Sequence, residues 1–107
     1  MAYLRIIGCC CRPEDEERFN RWYDEVHVPM LMKFRGVKKA SRYRSTDDND
    51  KSPRYLAVYE FDSKEDLDAF ANSPEAAAAR DERKISWPNP DSGQVTWAAR
   101  YEEIKSL

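Results

Sequence analysis

The stretch Phe19-Asn20-Arg21-Trp22-Tyr23-Asp24-Glu25-Val26-His27-Val28-Pro29, with Gly36 and Val37 after it, decides how this chain folds. Phe19, Trp22, Tyr23, Val26 and Met30 recur at helical spacing and make one apolar face. His27, the only histidine in the chain, stands one turn after Tyr23 at the edge of that face. Val28 precedes a proline, which disfavours helical geometry at that residue. The helix is therefore expected to kink or end at His27, with a short continuation through Met30 to Phe34 before Gly36 stops it. Its start is marked by Pro13 at a first helical position and by Glu14, Asp15, Glu16 and Glu17, which favour the positive end of a helix.

Outward from this helix the chain alternates strands and helices. Tyr3–Cys11 is rich in β-branched, aromatic and thiol residues and reads as a strand. Val37–Ser45 alternates as a second strand, with Val37, Lys39, Ser41 and Tyr43 on one face against Lys38, Ala40, Arg42 and Arg44. Thr46–Pro53 reads as a polar hairpin loop, and Arg54–Phe61 as a third strand. Tyr55, Ala57, Tyr59 and Phe61 share one face of it and Leu56 and Val58 the other, so both faces need cover. Ser63 caps a second helix whose buried stripe is Leu67, Phe70 and Ala71. Ser73-Pro74 starts a further helical piece through Ala76–Ala79. Trp87–Gly93 is a Pro-rich loop, and Gln94–Ile104 a last strand with Val95, Trp97, Ala99 and Tyr101 on one face.

This order, strand-helix-strand-strand-helix-strand, is the split βαβ or ferredoxin-like arrangement, an α+β fold with a four-stranded antiparallel sheet. The 107 residues are expected to form a single domain. Such a sheet carries its helices on one face, and the apolar residues on the other face predict pairing with a second copy.

Composition narrows the function. Eighteen Lys and Arg against twenty Asp and Glu leave a net charge of −2, with no basic face for nucleic acid. No apolar run approaches the roughly 20 residues of a membrane span, and Met1–Cys11 lacks the basic leader of an export signal. Cys9, Cys10 and Cys11 are consecutive, which suits neither a disulfide framework nor a zinc site. They read as small residues filling the end of a buried strand, with a reactive thiol as the lesser reading. Free thiols suggest the reducing cytoplasm. There is no GxSxG elbow and no glycine-rich nucleotide loop among the three glycines.

The run Phe19-x-x-Trp22-Tyr23-x-x-x-His27-x-Pro29, then Gly36-Val37 and Ala40-Ser41-Arg42-Tyr43, resembles the EthD-like proteins of the dimeric α+β barrel superfamily. Tyr55–Phe61, the helix with Leu67 and Phe70, and Ser73-Pro74-Glu75-Ala76 are similar to the second half of that pattern. The resemblance implies a homodimer whose sheets pack face to face, each protomer keeping a pocket between its own sheet and helices. Relatives are small, cofactor-free proteins handling aromatic or polyketide-like molecules, among them monooxygenases, isomerases, cyclases and dehydratases. Some bind haem, for which His27 would be the axial ligand.

The expected function is thus a cofactor-independent enzyme that moves a proton on a small aromatic or phenolic molecule, of isomerase, cyclase or lyase type. The alternatives are a non-catalytic binding helper of a degradation or biosynthesis pathway, or a cofactor-free monooxygenase. His27, with an ordinary pKa near 6.5, is the natural acid-base group. Tyr23 is its expected catalytic partner. Trp22, Tyr43, Tyr59, Arg42 and Trp87 are expected around the ligand: Trp22 as wall, the tyrosines as phenol donors, Arg42 as a holder of carboxylate or enolate if it points inward, and Trp87 as a lid. No metal and no cofactor is expected.

Overall fold

The computed structural model describes residues 1–48 and 51–107; the expected loop over Thr46–Pro53 includes Asn49 and Asp50, which lie outside the described residues. Four strands, β1 (Tyr3–Cys10), β2 (Val37–Arg44), β3 (Tyr55–Phe61) and β4 (Gln94–Glu102), form one antiparallel sheet in the order β2-β3-β1-β4. Between β1 and β2 run a 3-10 turn (Pro13–Asp15), α1 (Glu16–Trp22), a π-helical turn (Tyr23–His27) and α2 (Val28–Met32). Between β3 and β4 run α3 (Lys64–Phe70) and α4 (Pro74–Ser86). This is the ferredoxin-like fold read from the strand and helix order.

The register explains the core. Tyr55, Ala57, Tyr59 and Phe61 of β3 are all buried, opposite Cys9, Ile7, Arg5 and Tyr3 of β1. Phe19 and Tyr23 pack on them from the first helical segment and Leu67 and Phe70 from α3. Both later helices start as their sequences require. Ser63 accepts a hydrogen bond from the Asp66 amide at 3.1 Å, and Ser73 from the Ala76 amide at 3.1 Å.

Three expectations need correction. Of the outcomes expected at His27, the helix does not take the end but the short continuation: Val28 is helical (φ −60°, ψ −45°), its N–H bonds to the Tyr23 carbonyl five residues back, and α2 follows. Pro29 has no N–H to offer and its ring crowds the preceding turn; the wider π turn just before it absorbs both defects without breaking the helix. Second, Val37 is buried opposite Phe61 on the helix side, because the register of β2 shifts between Val37 and Lys39. Third, Val95 leaves the face of Trp97, Ala99 and Tyr101. Cys9 pairs with Val95 whereas Gly8 pairs with Trp97, so Thr96 is an extra residue that flips the alternation.

The outer face of the sheet carries no helix. Leu4, Ile6, Leu56 and Val58 lie half-buried on it, beside exposed Trp97 (42%), Tyr101 (52%) and Tyr43 (55%). The three cysteines are free. Burial raises the Cys9 thiol, and burial together with Glu16 and Asp15 pushes Cys11 up to about 11, so both stay protonated at neutral pH. No helix among the described residues is long and apolar enough to cross a membrane.

Candidate functional site

A cavity of about 150 Å³ lies between the sheet and the helices. His27 and Leu31 line it from the π turn and α2, Arg5 and Ile7 from β1, Tyr59 from β3, and Arg80 and Arg83 from α4. A larger groove of about 870 Å³, without a histidine, runs past Tyr43, Leu56 and Trp97 on the outer face. The smaller cavity is the one lined by the histidine.

His27 is held on three sides. Trp22 stacks on it with ring centres 4.8 Å apart, Tyr23 meets it edge-on at 4.8 Å, and only 6% of the residue is exposed. Arg83 Nη2 lies 3.3 Å from His27 Nε2. A guanidinium only donates, so Nε2 is assigned as the acceptor and the ring proton to Nδ1. Among the described residues Nδ1 is buried with no hydrogen-bond partner. Burial first, then the charges of Arg83 and Arg42, lower the pKa to about 3. The histidine is therefore a neutral imidazole across the whole physiological range, in place of the freely titrating group near 6.5 expected from its type.

Arg83 is the second unusual group. It is only 9% exposed, and α4 brings it in along the stripe Ala76-Ala79-Arg83, all three buried. Its Nη1 donates to the Gly93 carbonyl at 2.7 Å, and the Cys9 sulfur lies 3.8 Å away. Gly93 is required for this seat. Its φ is +74°, and a Cβ there would lie 2.3 Å from the Trp87 ring. Burial raises the pKa of Tyr23 and of Tyr59, and both phenols are neutral. Tyr59 Oη is buried without a hydrogen bond of ordinary geometry, although the Tyr23 phenol is close enough to influence its titration.

The structure distributes the expected site residues unevenly. His27 and Tyr59 line the cavity, while Trp22 and Tyr23 brace the imidazole from behind. Tyr43 does not join them. It pairs with Leu56, so its side chain falls on the outer face. Arg42 does point inward, but onto the far side of Tyr23, 4.5 Å above its ring. There it is tied to Asp24 Oδ1 and Asn20 Oδ1, both at 2.8 Å. Trp87 is no lid. It is 2% exposed, wedged against Phe19 and Trp22, with the Arg18 guanidinium 3.7 Å over its ring. Arg5, Arg80 and Arg83 were not anticipated. A cation continuing the apolar stripe of α4 was the available signal for Arg83; nothing local marks the other two.

Among the described residues no three His, Cys, Asp or Glu side chains come together as a metal site. Haem also does not fit. A cavity of about 150 Å³ holds roughly one benzene-sized ring, and His27 Nε2 is engaged by Arg83.

A family model described as "Domain of unknown function (DUF4286)" matches residues 3–102. No curated protein matches the sequence. The fold is similar to an ethyl tert-butyl ether D (EthD) family protein from Bacillus halodurans, with TM-score 0.70, 19% identity, and 97% of this chain and 99% of that one covered. It is also similar to a dimeric ferredoxin-like protein of unknown function from Jannaschia, with TM-score 0.65, 16% identity and coverage of 96% and 100%. A mutant of MhuD with two manganese protoporphyrin IX bound per active site matches at TM-score 0.70 and 17% identity, with coverage of 98% and 97%. At these identities the likeness is one of fold, and it bears out the EthD-like architecture read from the sequence.

Proposed function

The chain belongs to the DUF4286 family, and on that premise we propose that it is a single-domain, cofactor-independent enzyme transferring a proton on a small, one-ring aromatic or phenolic molecule. One observation carries the reading. His27 and Tyr59 line the same cavity; among the described residues His27 Nδ1 is buried without a hydrogen-bond partner, and Tyr59 Oη has only the neighbouring Tyr23 phenol. Leaving Nδ1 unpaired costs about 1–3 kcal/mol, and a substrate oxygen that reaches it supplies the missing partner.

The chemistry follows from the charge state. A neutral imidazole with its proton on Nδ1 is a donor to a carbonyl or phenolic oxygen. Negative charge that develops on that oxygen is stabilised by Arg83 and by the Tyr59 hydroxyl. For the proton on the adjacent carbon to be taken, Arg83 turns from Nε2 to the developing oxyanion, and the freed Nε2 lone pair accepts that proton. Isomerisation, cyclisation or elimination next to a carbonyl suits this arrangement.

The test is solvent exchange. In D2O, single-ring phenols and enones incubated with the protein incorporate deuterium beside the oxygenated carbon, followed by NMR, and His27→Ala loses this by about 100-fold. Equal exchange in His27→Ala sinks the role of His27. Saturable binding without exchange supports the binding-helper reading instead, and oxygen consumption the monooxygenase.

We also propose a homodimer through the outer sheet face, where Trp97, Tyr101 and Tyr43 stand exposed over an apolar surface. The Jannaschia protein is described as dimeric. Light scattering is expected to give twice the chain mass at micromolar concentration, and Trp97→Glu to give the monomer mass. A wild-type monomer overturns this assembly.

A further inference from the structure

We infer that the cavity is built for a monocarboxylate with an apolar body, its carboxylate held by Arg83 with Arg5 and Arg80. The inference deepens the proposed function and rests on the same cavity being the ligand site.

The argument is one of missing counter-charge. Three guanidiniums line a space of about 150 Å³, and no Asp or Glu lines it. Among the described residues none of the three takes part in a salt bridge. Two neighbouring acids are engaged elsewhere, and Glu75, whose Oε2 is buried without a hydrogen-bond partner, does not line the space. Asp68 pairs with Lys64 and Arg100, and Glu82, next to Arg83 in sequence, accepts from Trp22 Nε1 at 2.8 Å and from Ser86.

Arg83 is the decisive case. More than nine-tenths buried, it has only neutral partners: the Gly93 carbonyl, the Cys9 sulfur, His27 Nε2 and the faces of Trp22 and Tyr23. A buried charge is normally paired, because desolvation costs several kcal/mol that neutral dipoles only partly return. Arg80 makes one bond, to the Ala71 carbonyl at 3.0 Å, and stands exposed at the mouth. Arg5 is half-buried; desolvation and the nearby charges of Arg100 and Arg80 lower its pKa, as a cluster of like charges lacking an anion would.

The rest of the lining selects the class of anion. Ile7, Leu31, Phe70, Ala76, Ala79 and Ala98 are apolar. Inorganic phosphate or a sugar phosphate would leave that surface unused. A carboxylate on one aromatic ring or a short branched chain fits both halves, because a guanidinium matches a carboxylate in a planar, two-pronged contact.

The experiment compares isosteres on the full wild-type chain. Benzoate and benzamide are titrated separately and followed by NMR of the Ile7, Leu31 and Ala98 methyls. Benzoate is expected to bind at least about tenfold more tightly than benzamide, the difference between charge-assisted and neutral hydrogen bonds. The preference should disappear in Arg83→Met and partly return in Arg83→Lys. Because Arg83→Met disturbs a buried site, Arg80→Gln at the exposed mouth is the second variant, and it should weaken benzoate about threefold while leaving benzamide unchanged. Benzamide binding as well as benzoate overturns the anion inference and leaves the small-molecule site standing. Inorganic phosphate displacing benzoate at equal concentration overturns the choice of carboxylate. No shift of cavity methyls by either ring at about 10 mM overturns the ligand site itself, and the inference with it.

Discussion

A Phe19→Ala variant is expected to lose about 3–5 kcal/mol of folding stability, the cost of emptying a fully enclosed aromatic site. Phe19 has no exposed surface and is the ring around which the others are arranged. Its centre lies 5.4 Å from Tyr23, 5.4 Å from Trp87, 5.6 Å from Tyr55 and 6.0 Å from Trp22. The contacts with Tyr23 and Trp87 are edge-on, the geometry favoured by ring quadrupoles. Tyr55 belongs to the sheet, Trp22 and Tyr23 to the first helical segment, and Trp87 to the turn after α4. Removing the ring therefore loosens three segments of the chain at once, and the cavity it leaves sits against the wall that holds His27. Urea denaturation measures the effect as a lower midpoint at unchanged slope. Ile85→Ala, on the exposed side of α4, is the control and should change stability by less than about 0.5 kcal/mol. A Phe19→Ala loss no larger than the control's would refute the central place given to this ring.

Acidification gives the second large effect. Burial and Arg83 hold the folded-state pKa of His27 at about 3, against about 6.5 for the unfolded chain. Between those values the unfolded chain binds the proton and the folded chain does not. Stability therefore rises with pH across this window and is lost as pH falls through it. From pH 7 to pH 4.5 the contribution of His27 amounts to a loss on the order of 2 kcal/mol. Asp15 and Glu16, whose carboxyl pKa values are lowered by hydrogen bonds from Ser92 and Tyr55, push the same way at lower pH. The comparison is therefore made between wild type and His27→Gln, which share those carboxylates. Urea midpoints of the variant should fall much less between pH 7 and pH 4.5. Parallel pH profiles for the two proteins would mean that His27 titrates normally.

Much of the fold is legible in the chain because its signals are local. Ser63 and Ser73 cap the helices they precede, and the apolar alternation of Tyr55–Phe61 names the buried face of β3 correctly. Misreadings arise where one residue alters the count. A register shift after Val37 and an extra residue at Thr96 each invert the alternation of a strand, and hydrogen bonds to the neighbouring strand decide such shifts. At Pro29 the pre-proline rule predicts a break, but the packing of Tyr23 and His27 against the core outweighs the cost of a wider turn.

The site divides along the same line. That a single histidine lies on an aromatic helix face beneath a four-stranded sheet can be read along the chain, because helical spacing and strand order are properties of neighbouring residues. The company it keeps is set by the folded packing. Arg5 and Arg83 stand 78 positions apart in the chain and line one cavity, while Arg42, Tyr43 and Trp87 are turned elsewhere by register and packing. The charge state of His27 was decided there too, since desolvation and the field of a distant guanidinium depend on distances that no spacing in the chain encodes.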